Sequence, residues 1–156
     1  MIQTSHLEIF CRQVRARSDD HREAVVRLHH GGPPSQIVSI LRQELDSMIR
    51  VIYLLSISDM AYREQLIKAS IEGRKWTHKG SRRRITDRDY RERDPMDSIS
   101  DDEKKDILNH MRSYHGGPRQ TNPNFKDLLP YLPMVFDKIA SNLEHHLGDL
   151  EAGRVI

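Results

Sequence analysis

Cysteine is almost absent from this chain of 156 residues, where Cys11 stands alone. A single thiol excludes an intramolecular disulfide and a cysteine-based zinc cluster. Cys11 falls on an apolar helical seam, where a buried, inert thiol is expected. Long apolar runs are missing too, and none approaches the roughly 20 residues that span a bilayer. The segment Met1 to Arg12 lacks the basic, apolar, small-residue order of a secretory signal. These absences lead to the expectation of a cytoplasmic protein without a membrane role. Aromatic residues make up only 6% of the chain and Trp76 is the sole tryptophan, so a core must be built mainly from aliphatic side chains. Strand-like alternation is also missing. The hydrophobic content of 37% is low but sufficient for one core, and residues 1–156 read as a single helical domain.

The sequence does contain helical periodicity. Leu7, Cys11, Val14, Ser18, His21, Val25 and Leu28 recur at spacings of four and three over residues 4–29. His30-Gly31-Gly32-Pro33 follows, and glycine and proline stop a helix there. The next helix, Ser35 to Ile57, is the most apolar, with a stripe of Ile37, Ile40, Leu41, Leu45, Met48, Val51, Ile52 and Leu55. A third helix is expected from Asp59 to Arg74 with Ser58 as its cap. Ser100-Asp101-Asp102-Glu103 is a capping-box sequence opening a fourth helix to Tyr114. His115-Gly116-Gly117-Pro118 ends that helix in the manner of the first break. A last helix runs from Pro133 to Leu150. The expected fold is all-α, a four- to five-helix bundle with a long basic loop between helices 3 and 4.

Charge is unevenly spread. The whole chain is formally +2, whereas Arg74 to Arg93 carries nine basic side chains against Asp87, Asp89 and Glu92. Arg74, Lys75, Lys79, Arg82, Arg83, Arg84 and Arg88 are therefore the candidate anion-binding residues, and RNA or a nucleotide is the expected ligand. An acidic protein partner contacting the same loop is the alternative, with the chain then a helical interaction module, because both need the same charge.

Ionisable groups also fall on apolar faces. Glu44 projects into the middle of the second helix's stripe, where a carboxylate requires a partner. The expected partner is an Arg or His from a neighbouring helix. His21, His115 and His146 face the apolar sides of three different helices. Convergence of the three would suit zinc or nickel. No helix, however, carries a histidine pair at ligand spacing, so they are read as core or cap histidines. No cofactor is expected.

The stretch from Ser35 to Trp76, with Ile40-Leu41-Arg42-Gln43 and Asp46 one turn later, resembles the central helical hairpin of the HEPN superfamily (higher eukaryotes and prokaryotes nucleotide-binding domains). The resemblance covers about a quarter of the chain. It implies a four- or five-helix bundle, a homodimer, and RNA or nucleotide as ligand, often in bacterial toxin–antitoxin or phage-defence systems. The superfamily's cleavage signature is an Arg, a polar residue, and a His several positions later. Arg22-Glu23 with His29 has a suitable length and forms the candidate catalytic pair. Arg15 with His21 has Ala16 where the polar residue belongs, and Arg112 to His115 is too short. In such a pair the His would move a proton and the Arg would stabilise charge on the phosphorus, without metal. Given these departures, the expectation is RNA binding without cleavage.

Overall fold

The computed structural model describes residues 4–31, 34–85 and 132–156. Helices take up 76% of them, with no strand among them. The all-α expectation holds. The helices are α1 (His6–Gly31), α2 (Pro34–Leu55), α3 (Met60–Ile71) and α4 (Leu132–Glu151). The helix expected from Ser100 to Tyr114 lies outside the described residues, as do Arg88 and His115. None of the described helices is long and apolar enough to cross a membrane.

Local chemistry sets the helix ends. The Ser5 hydroxyl accepts from the Glu8 amide at 3.1 Å, satisfying one of the donors that every helix start leaves open. Pro34 opens α2, where its missing N–H costs nothing. For α3 the cap is Asp59, not Ser58: its Oδ1 accepts from the amides of Ala61 and Tyr62 at 3.1 and 3.2 Å. The carboxylate at Asp59 outcompetes the preceding hydroxyl because it reaches both free amides while complementing the positive helix end. α3 also stops at Ile71, three residues before the expected Arg74. Gly73 takes φ 72°, and the amides of Gly73 and Arg74 bond back to the carbonyls of Ser70 and Ala69 at 3.2 and 2.8 Å. This left-handed closure recurs at Gly153, φ 73°, after α4.

Cross-helix ion pairs show the topology. Arg22 meets Asp137 while Arg15 meets Glu144 and Glu151, so α1 and α4 run antiparallel. His21 meets Glu44, and the α1 residues nearer the N-terminus lie beside Ser47 and Arg50 of α2. α1 and α2 are therefore antiparallel as well. α3 follows the direction of α1, with His6 bonded to Glu64 near one end and Phe10 and Gln13 beside Ser70 nearer the other. The most extensive helix–helix packing among the described residues lies between α2 and α4. Ile37, Leu41, Met48, Val51, Leu54 and Leu55 of α2 are sealed from solvent together with Phe136, Ile139, Leu143 and Leu147 of α4. Full burial of each such side chain contributes about 1.5–3 kcal/mol. Ile40 and Leu45, expected in the stripe, are only half-buried at its margins.

Glu44 is the buried carboxylate expected from its position. It is 0% exposed, and α1 supplies both partners: His21 Nδ1 at 2.9 Å and the Ser18 hydroxyl, which donates to the other carboxylate oxygen. A histidine therefore fills the expected role. Cys11 is buried as well, and burial, with help from Glu151, pushes its thiol up to about 11.

Candidate functional site, a cleft lined by three arginines

As far as Ile85, where the described residues of the basic loop end, it is ordered as a hairpin. Ile85 donates its amide to Trp76 O at 3.0 Å and His78 to Arg83 O at 2.9 Å, so Thr77 and Arg84 stand opposite each other as an antiparallel pair. The Ser81 amide closes a turn onto His78 O at 3.0 Å. Gly80, with φ 67°, occupies the turn position that needs a positive φ. Two bonds fasten the hairpin along α3. The Tyr62 hydroxyl donates to Thr77 O at 2.6 Å, and Lys79 pairs with Asp59. Lys79 also holds the Asp59 carboxyl below its usual range, with the α3 amides adding to the effect.

The hairpin leaves α3 at Trp76, which is 5% exposed and donates its indole N–H to the Ser70 hydroxyl at 3.1 Å. Tyr53 packs beside it, ring centroids 6.2 Å apart. Above this aromatic base lies a cavity of about 230 Å³ between α1, α2 and the α3 C-terminus. Arg17 from α1, Arg50 from α2 and Arg74 from the turn after α3 converge on it, with Gln13 and Ser47 as further polar groups and no acidic side chain in the lining. The Arg50 guanidinium sits 5.7 Å from the Trp76 ring centroid, a cation–π distance that fixes its direction. Arg50 also touches Asp46 at 3.3 Å, and Arg74 touches Glu72 at 2.7 Å. Both are half-exposed pairs of the kind worth at most about 1 kcal/mol, so an incoming anion can displace them. Arg17 has no ion pair among the described residues. A second, shallower groove of about 560 Å³ shares Arg17 and Ser47 and continues along α2 past Asp46, Gln43 and Arg42.

Of the residues expected to bind an anion, only Arg74 lines the cleft. Lys75 is exposed beside it, Lys79 is tied to Asp59, and Arg82, Arg83 and Arg84 project from the exposed far part of the hairpin. Arg17 and Arg50 were missed. Their only sequence signals were an Arg on the polar flank of α1 and an (i, i+4) acid–base pair, both common on any helix surface.

Arg22 and His29 lie elsewhere, toward α4. The Arg22 guanidinium binds Asp137 at 2.5 Å and stands 5.3 Å over the Phe136 ring. His29 is two turns further along α1, about 10 Å in rise, with its ring against His30. Within one chain the two side chains are not brought together at the cleft. His21 is engaged by Glu44, and His146 is buried on α4. Among the described residues no group of three or more His, Cys, Asp or Glu is placed to hold a metal ion. No protein-family model, curated protein or solved structure matches the chain.

Proposed function

We propose that this helical protein binds RNA or a nucleotide, and that the cleft of Arg17, Arg50 and Arg74 with the hairpin beside it is the binding surface. The observation that carries the reading is the convergence of three guanidiniums from three separate elements on one concavity whose lining has no carboxylate. Asp46 and Glu72 pair with two of the three from outside the lining, and a bound anion would compete with those exposed carboxylates for the guanidiniums. Arginine suits phosphate better than lysine does, because its planar fork offers two parallel donors. The resemblance of the Ser35 to Trp76 stretch to the HEPN superfamily would imply the same ligand class and a homodimeric assembly. Binding without cleavage is the favoured activity, because Arg22 is already engaged by Asp137 and lies toward α4, away from the cleft.

The test is fluorescence anisotropy with labelled RNA over a range of salt concentrations. Arg17→Ala, Arg50→Ala and Arg74→Ala should each weaken binding and lower the log–log salt slope by about 0.7 for every phosphate that no longer meets a guanidinium. Replacing Arg82, Arg83 and Arg84 together should lower it further. Slopes unchanged in both sets, with an acidic peptide bound instead, would transfer the surface to a protein partner. Chelator-resistant RNA cleavage that disappears in both Arg22→Ala and His29→Ala would refute the non-catalytic part.

A further inference from the structure

The hairpin and the groove extend from opposite ends of the cleft. The hairpin runs back along α3 toward its N-terminus, since Thr77 is held by Tyr62 and Lys79 by Asp59. Five residue-to-residue steps of near-extended chain, Arg74 to Lys79, carry its turn roughly 15 Å from the cleft. The groove runs the other way, because α2 is antiparallel to α1 and the groove follows α2 from Arg50 back to Arg42. Those eight steps along the helix rise about 12 Å. Arg42, Arg17, Arg50, Arg74, Arg84 and Arg83 thus mark out one basic track, with the cleft in its middle. The cleft itself, at about 230 Å³, falls below the roughly 300–1,000 Å³ of pockets that enclose a whole ligand.

Resting on the RNA-binding reading above, we infer that the ligand is a single-stranded oligonucleotide about eight nucleotides long, threaded through the cleft and held at both ends. A track of roughly 27 Å matches about eight phosphates at the ~3.4 Å spacing of a stacked strand. At about 230 Å³ the cleft has room for a short stretch of one backbone. A duplex carries its phosphates on the outside of a rod that cannot enter so small a concavity, whereas an unpaired strand can. Trp76 serves as the base of the cleft: with its face packed and its N–H bonded to Ser70, it orients Arg50 and is closed to base stacking. Asp46 is the carboxylate that lines the groove half of the track, placed between Arg42 and Arg50, and it opposes the passing backbone.

The experiment measures affinity of the full chain for 5′-labelled oligouridylates of two, four, eight and sixteen nucleotides, with uridine monophosphate as a competitor and an eight-base-pair duplex as a control. Affinity is expected to rise at least tenfold from two to eight nucleotides and then level off. Six phosphate contacts set a salt slope of about 4 for the octamer. Arg42→Ala and Arg83→Ala, at opposite ends, should each weaken the octamer several-fold and leave the dinucleotide unaffected. Asp46→Asn, at an exposed position that leaves packing intact, should tighten the octamer about twofold. A dinucleotide or uridine monophosphate that binds within threefold of the octamer would overturn the threaded strand while leaving nucleotide binding standing. A duplex bound as tightly as the single strand would also overturn it. Absence of binding at every length would remove the RNA reading itself.

Discussion

Glu44 gives the sharpest test of how the bundle is held together. Its carboxylate is wholly buried between α1 and α2, accepting from Ser18 and meeting His21 Nδ1 at 2.9 Å. With side chains 1% and 10% exposed for Glu44 and His21, solvent screening does little to weaken the pair. Glu44→Ala leaves a hydroxyl and an imidazole nitrogen buried without their partner, and creates a cavity in the α2 stripe. Breaking a buried pair in this way costs about 3–5 kcal/mol, which for a chain of this size lowers Tm by roughly 10 °C. Glu44→Gln keeps the shape and one acceptor, so about 1–2 kcal/mol is expected. The decisive variant removes all three polar groups: Ser18→Ala, His21→Leu and Glu44→Leu together. If desolvation offsets most of the network's attraction, the triple variant should recover most of the stability that Glu44→Ala removes. Urea unfolding with a common m-value is the assay. A Glu44→Ala cost below about 1 kcal/mol, or a triple variant no more stable than Glu44→Ala, would refute this account of the interface.

Other outcomes follow from the same interactions. Trp76→Phe removes the bond to Ser70 and part of the packing on Tyr53, so urea unfolding should show a loss of about 1–2 kcal/mol, with RNA affinity changed less than about threefold. Because the folded state holds the Cys11 thiol near 11 against an ordinary value of 9.0, the unfolded chain ionises first; stability should fall between about pH 9 and pH 11, and Cys11→Ala should lack that component of the pH dependence. Native Cys11 should also react with a thiol reagent only when urea unfolds the chain. Arg63 is buried and gives Nη2 to the carbonyls of Leu55, Ile57 and Arg154, at 3.3, 2.9 and 3.0 Å; Arg63→Met should cost about 2–3 kcal/mol and raise hydrogen exchange at the Ile156 amide, which bonds Leu55 O.

Helical content, the apolar stripe of α2, the burial of Cys11 and the need of Glu44 for a neighbouring partner were all legible in the sequence. Each depends on the 3.6-residue repeat, which places residues around one helix without knowledge of any other. Helix ends were less legible. Ser58 and Asp59 both cap well as isolated residues, and only the Lys79 contact and the two free amides show which of them does so here. The basic segment was visible as composition, but composition cannot distinguish a loop from a hairpin. That distinction came from the backbone pairing of His78 with Arg83 and Ile85 with Trp76, on a segment that Tyr62 fastens to α3 through Thr77 O. The cleft was the least legible feature. Arg17, Arg50 and Arg74 are far apart in sequence and ordinary on their own helices or turns, and they line one cleft only because α1 lies antiparallel to α2 and parallel to α3. A sequence fixes the angular position of a side chain on its own helix, whereas which helix faces it, and in which direction, is decided by tertiary packing.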